Sequence, residues 1–429
     1  MPSELIRQVR VLDPASGTDR IADVLIEDGV IAAIADLIPD AEIPAESRSE
    51  LQVCDRPGLV LGPGLVDLYS HSGEPGFESR ETLRSLVHAA EAGGFTRVAI
   101  LPDTDPAIDN PAGVERLRSL AKYMPPSSLQ LYFWGALTVG VQGQQMTELA
   151  ELAEAGIIGF ADGRPIRHSG LLRRMLEYAY PLNKPIALWC CDPELVGNGT
   201  VREGMDSIRL GLPGIPAIAE TAAIATILEY IELLGTPVHL MRISTARGVE
   251  LIRRAKERGL PITASTTWMH VLLSTKDLDS YDPSLHLHPP LGNPADHLAL
   301  LQGIRDGVID AIAIDHTPYS YEEKTVAFSE APAGAIGLEL ALPLLWRSLV
   351  VSGDYSALSL WRSLSTNPAR CLGQAPVTLN PGQLAELTLF DPEQPWRGDR
   401  QTLKSLSYNT PWLDQEITGR VVKTWGLGL

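Results

Sequence analysis

Apolar positions along the chain fall into two regimes. Near the start, Val24-Leu25-Ile26-Glu27 and Val30-Ile31-Ala32-Ala33-Ile34 flank Asp28-Gly29, a dipeptide favoured by two-residue hairpin turns. A polar, proline-containing stretch follows from about Pro39 to Glu50. Near the other end, Glu386-Leu387-Thr388-Leu389-Phe390 and Arg420-Val421-Val422-Lys423-Thr424 read as strands again. The middle alternates short apolar runs with helical patterns. Eight runs read as strands: Leu65–Tyr69, Arg97–Leu101, Leu131–Gly135, Ile157–Phe160, Ile186–Cys190, Val238–Ile243, Ile262–Thr266 and Ala311–Asp315. One intervening helix carries Leu83, Leu86, Val87 and Ala90 on one face and stops at Gly93. Another carries Ile224, Ile227, Leu228 and Ile231 and stops at Gly235. Eight such units in roughly 300 residues predict an α/β chain folded as a (β/α)8 TIM barrel. The barrel is expected over 61–374, with a small β-sandwich domain formed by both termini, 1–60 plus 375–429.

Composition narrows the setting more than the chemistry. With 45% hydrophobic and 21% charged residues, the 429-residue chain has the make-up of a soluble globular protein. Asp plus Glu is 53 against 35 Lys plus Arg, a net charge of −18, so neither nucleic acid nor an anionic membrane is an expected partner. No apolar run approaches the roughly 20 residues of a membrane helix. The opening Met1-Pro2-Ser3-Glu4-Leu5-Ile6 lacks the pattern of a signal peptide. Cys54, Cys190, Cys191 and Cys371 form no Cys-x-x-Cys and are too few for a disulfide framework. A cytoplasmic location is expected.

In a TIM barrel the chemistry sits at the C-terminal strand ends. Strand one ends in Asp67, Tyr69 and His71, whose alternate spacing sends them to one side. A strand tipped by His-x-His can hold a divalent metal, but Tyr69 stands in the first position. Pro102-Asp103-Thr104 follows strand two and Asp162 strand four. Trp189-Cys190-Cys191 ends strand five, Arg242 strand six, Thr266-Thr267 strand seven and Asp315-His316 strand eight.

These motifs resemble the dihydroorotases of the amidohydrolase superfamily. The resemblance is carried by Pro63-Gly64-Leu65-Val66-Asp67-Leu68 with Glu74-Pro75-Gly76, by Ala92-Gly93-Gly94-Phe95-Thr96 and by Pro102-Asp103-Thr104-Asp105-Pro106. Asp315-His316-Thr317-Pro318 and Thr366-Asn367-Pro368-Ala369-Arg370 extend it along nearly the whole chain. It implies a zinc site in the barrel and closure of dihydroorotate from carbamoyl aspartate in pyrimidine synthesis. It also marks the departures. The metal positions read Tyr69, His71, Asp162, Trp189, Arg242 and Asp315; His71, Asp315 and Asp162 keep ligand chemistry, and His239 keeps the first histidine of a His-x-x-His pair. The substrate-contact positions read Gly73, Asp103, His288 and Gly292.

Indole nitrogen is only a donor, and guanidinium is always protonated, so Trp189 and Arg242 cannot be ligands. A unit charge about 4 Å from another costs roughly 4 kcal/mol at an effective dielectric of 20, and about twice that against a dication. The expected resolution is that the Arg242 guanidinium takes the metal's place, pairing with Asp315, Asp67 or Asp162. Gly73 removes a carboxylate-binding fork, and Asp103 adds negative charge where an anion would sit. Asp315 is then a vestigial base, and no metal or other cofactor is expected. Of the other histidines, His88, His168, His239, His270, His286, His288 and His316 read as structural or solvated residues, with a replacement metal site from His270, His286 and His288 as the lesser alternative, and Cys190 and Cys191 read as packed thiols. The resemblance extends to inactive dihydroorotase-like proteins that assemble with aspartate carbamoyltransferase, which implies that enzyme as a partner in a homo- or hetero-oligomer. The competing expectation is an active cyclic amidohydrolase holding one zinc through His71, Asp315 and an unexpected ligand.

Overall fold

The computed structural model describes residues 3–42, 51–125 and 127–426. The part of the polar stretch from 43 to 50 lies outside the described residues. Asp28 and Gly29 both take positive φ (49° and 75°), as the tight turn between Thr18–Glu27 and Val30–Ala35 requires. Seven strands among the described residues form one sheet built from both ends of the chain. Within it, Leu387–Arg397 pairs antiparallel with both Glu416–Trp425 and Val60–Pro63, and Val60–Pro63 pairs parallel with Glu4–Asp13. The sheet therefore runs past residue 60 and hands the chain straight into the barrel.

The eight barrel strands are Leu65–Ser70, Phe95–Ile100, Gln130–Gly135, Gly159–Phe160, Ala187–Trp189, Val238–Met241, Ile262–Thr267 and Ala311–Ala313. Every neighbouring pair that forms a ladder is parallel. A parallel bridge from Phe160 to Ile186 joins strands four and five. The ring closes through His71 N donating to His316 O (2.8 Å) and Ile314 N donating to Asp67 Oδ1 (2.7 Å). Strands one and two are buried at every residue, which explains their mainly apolar character, and their polar members Asp67, Ser70, Thr96 and Arg97 are all hydrogen-bonded. Strands six and eight end before their apolar runs do, where the chain turns through Arg242 and Asp315 into the mouth, while strand four begins two residues late at Gly159.

The helices follow the sequence signals. Thr82 caps Leu83–Ala92, its Oγ1 accepting from Ser85 N, and Gly93 ends the helix. Ile218–Leu234 buries Ile224, Ile227, Leu228 and Ile231 and stops at a left-handed Gly235. Truncating a fully buried leucine such as Leu86 to alanine would cost about 2–5 kcal/mol.

Candidate functional site

The strand tips surround a cavity of about 650 Å³ whose lining includes His71, Gly73, Asp103, Trp189, Arg242, His288 and Asp315. Two of these residues owe their direction to unusual backbone. Arg242 and Asp315, just past strands six and eight, have φ of 56° and 53°, the left-handed region that costs a non-glycine residue about 1–2 kcal/mol. That turn aims both side chains at one another across the mouth.

Arg242 donates from Nε to Asp315 Oδ2 (2.8 Å) and from Nη2 to Asp315 Oδ1 (2.6 Å), a bidentate pair. Its Nη1 donates to Gly163 O (2.8 Å), and its plane lies 5.0 Å from the Trp189 ring. Arg242 Nη2 also lies 3.1 Å from His71 Nε2. On the other side, His71 Nδ1 meets Asp103 Oδ2 at 2.8 Å. The mouth is thus a chain of charges, Asp103–His71–Asp315–Arg242.

Burial by itself would push His71 down, yet Asp103 and Asp315 outweigh it and raise the imidazole to about 9. The Nη2 hydrogen aimed at Nε2 opposes that shift, but Arg242 is already committed to Asp315, so the carboxylates prevail. Burial would raise Asp315, while Arg242 and His71 hold it far below the usual carboxylate range. At neutral pH the two cations of this chain, His71 and Arg242, then balance its two anions, Asp103 and Asp315.

The remaining metal positions are engaged elsewhere. Tyr69 OH pairs with Ser265 Oγ (2.8 Å) and accepts from Arg242 N (3.2 Å); burial and Asp315 push its phenol above the ordinary range. The expectation that Arg242 could choose Asp67 or Asp162 is corrected. Asp67 accepts from Ser70 Oγ (2.6 Å) and Ile314 N, and burial raises it to about 7. Asp162 accepts from Leu137 N, Thr138 N and Thr138 Oγ1 at 2.8, 3.0 and 2.5 Å, and burial raises it to about 6. Asp67 thus ties strand one to strand eight, and Asp162 holds the turn after strand three. Among the described residues, no group of three or more His, Cys, Asp or Glu is arranged to hold a metal ion. The donors do not fit the zinc that the family resemblance implies: a guanidinium contacts both His71 and Asp315, and Trp189 covers it.

Gly73 leaves no room for a longer residue, because a Cβ there would stand 2.3 Å from Glu81 O and 2.4 Å from Phe77 O. A cation that sequence reasoning missed, Arg80, reaches the cavity instead. It lies between Phe77 (4.4 Å) and Tyr319 (4.9 Å) and pairs with Glu323. Gly292 sits against Asp296 and Ser244 O, away from the cavity lining. His288 stands 6.1 Å from Trp189, ring to ring.

The other histidines have ordinary partners or are exposed. His239 bonds Thr263 and Ser265, His270 bonds Thr267 and Pro290 O, and His316 bonds Glu81 and accepts from Gly337 N. His286 uses Nδ1 on Ala331 O, while His88 and His168 are exposed. All four cysteines are free, and no helix among the described residues is long and apolar enough to cross a membrane.

A family model described as Dihydro-orotase-like matches residues 58–247. A "Probable dihydroorotase-like protein" from Synechocystis sp. is 46% identical, the match covering 98% of this chain and 99% of that one. A dihydroorotase from Pelobacter propionicus is 38% identical over 98% of this chain and 97% of its own. Among solved structures, an L-hydantoinase (dihydropyrimidinase) from Arthrobacter aurescens superposes with a TM-score of 0.83 at 21% identity, covering 100% of this chain and 98% of that one; this likeness speaks for the barrel fold. With the barrel, the two-ended sheet and relatives matched over almost their full length, the chain belongs to the dihydroorotase-like family.

Proposed function

We propose that this protein is a catalytically silent dihydroorotase-like member of pyrimidine biosynthesis, acting in the cytoplasm as a structural partner of aspartate carbamoyltransferase. The observation that carries the loss of catalysis is the Arg242 guanidinium, bidentate on Asp315 and 3.1 Å from His71. Asp315 is engaged on both oxygens by that fork, which opposes its use as a general base. At the same mouth Gly73 supplies no carboxylate-binding fork and Asp103 is tied to His71, which supports the same reading. The carbamoyltransferase rests on the resemblance to inactive homologues that assemble with that enzyme.

Two measurements test the reading. Metal analysis of the purified chain should find well under one equivalent of zinc, with no hydrolysis or closure of dihydroorotate. Co-expression with the carbamoyltransferase of the same organism should give a co-eluting complex. Stoichiometric zinc that leaves together with a hydrolytic activity would replace this reading with a single-metal cyclic amidohydrolase. Failure to co-elute would remove the partner and leave the silent barrel standing.

A further inference from the structure

A second cavity, of about 820 Å³, adjoins the mouth and shares Arg164, Trp189 and His288 with it. One wall is Arg202, held by a short parallel ribbon of Val201–Arg202 with Gly214–Ile215. Arg202 is 2% exposed, and a cation so deeply buried ordinarily has a carboxylate partner. Among the described residues it forms no ion pair. Its Nη2 donates to Ser244 Oγ (2.6 Å), and its buried Nε has no acceptor, although buried N–H groups are nearly always satisfied.

The nearest compensation is indirect. Ser244 Oγ passes its own hydrogen to Glu220 Oε2 (2.5 Å), and Glu220 also accepts from Ser244 N, Thr245 N and Thr245 Oγ1. Glu220 is therefore saturated; it shares no hydrogen bond with Arg202, whose charge acts on it through space. At the cavity's rim, exposed Arg164 and Arg167 add two further guanidinium groups, neither of them in an ion pair among the described residues. Arg164 does feel Asp103 and Asp162 at longer range. Against the three arginines the lining offers two carboxylates, Glu220 and the exposed Glu194. A cation-rich hollow in a chain of net charge −18 is a local reversal of the global field.

We propose that this cavity binds a small organic anion, with Arg202 taking a carboxylate or phosphate group from within and Arg164 closing on it from the rim. A guanidinium presents the planar donor fork that such groups match. Trp189, Ile215 and Pro290 give the ligand's body an apolar wall, in a volume within the range of small-molecule sites. Burial and the nearby Glu220 push the Cys191 thiol up to about 12, so Cys191 adds no negative charge to the lining. None of the three arginines occupies a position that the family resemblance assigns to metal or substrate. The inference needs neither the silent mouth nor the carbamoyltransferase.

Titration calorimetry on the full chain at low ionic strength, with inorganic phosphate and succinate as separate probes, tests it. At least one probe should bind saturably with Kd at or below about 1 mM, and which one does so tells phosphate from carboxylate recognition. Arg202→Gln should weaken binding about ten-fold or more and Arg164→Gln about three-fold, since each removes a charge-assisted donor. Arg173→Gln, which alters a surface pair with Glu177, should leave the affinity unchanged. If Arg202→Gln does not fold, Arg164→Gln and Arg167→Gln decide. The proposal falls if neither probe binds the folded protein, or if binding is indifferent to the cavity arginines.

Discussion

Two buried arginine–carboxylate pairs sit at opposite ends of the barrel, alike in distance and burial and different in their surroundings. Arg97, early in strand two, grips Glu386 with Nε on Oε1 at 2.7 Å and Nη2 on Oε2 at 2.8 Å. Its Nη1 donates to Gln374 Oε1 and Ala375 O, while Thr96 Oγ1 also donates to Glu386. That pair is a closed clamp between barrel and terminal sheet, on regular strand backbone. Arg242 and Asp315 match it in distance and burial, but their backbone is left-handed, a third and a fourth charge join them, and they face a cavity. The lesson is that a buried ion pair has no fixed meaning. Its surroundings decide whether it fastens two parts of a fold or fills a site.

Breaking the clamp should cost most. Arg97→Met leaves Glu386 buried and unpaired, and urea unfolding should show a loss of about 3–5 kcal/mol; a loss below about 1 kcal/mol would erase the contrast. Arg242→Met should cost less, about 2–3 kcal/mol, because protonated His71 remains beside Asp315 to balance it. Adding Asp315→Leu to that variant should recover much of the loss, which a double-mutant cycle measures. Supplying imidazoles at all three altered positions, Tyr69→His with Trp189→His and Arg242→His, should let the purified protein retain zinc near one equivalent. Zinc content no higher than that of the parent would mean that more than the ligand set has changed.

The pH response should separate the two ends more gently. A histidine raised to about 9 when folded, against about 6.5 unfolded, contributes its full stability below pH 6.5 and loses it as pH rises through 9. The unfolding free energy should therefore fall over that window, by up to about 3 kcal/mol relative to His71→Gln. Buried Asp67 and Asp162 act with the same sign but are spent by about pH 7. A ring-nitrogen titration of His71 with a midpoint below 6.5 would show instead that Arg242 owns Nε2. The smallest effect belongs to Arg80→Gln, whose pair with Glu323 is more than a quarter exposed; calorimetric unfolding should register less than about 1 kcal/mol.

The barrel was legible because its strands are mostly buried and helices such as Leu83–Ala92 and Ile218–Leu234 end at Gly93 and Gly235. The ring of tip residues was equally legible, since alternation along a strand places side chains by simple counting. Which carboxylate Arg242 takes was not. Asp67, Asp162 and Asp315 are equal in sequence, and the choice is made by two left-handed backbone turns and by local donors such as Thr138 and Ser70. The ribbon bearing Arg202 was missed as well, because two-residue strands carry no period. Arg97 and Glu386 are 289 positions apart, beyond any local pattern.

The two-ended sheet has a consequence for how the protein is made. Val60–Pro63 lies between Glu4–Asp13 and Leu387–Arg397, so its second neighbour is synthesised more than three hundred residues later. On a translating ribosome, at about 5–20 residues per second, the early strands wait tens of seconds with one edge unpaired. During that interval the nascent chain carries an open β edge, a known hazard for misassembly. Completion of the sheet, and with it the Arg97–Glu386 clamp, has to wait until Leu387–Arg397 has been made.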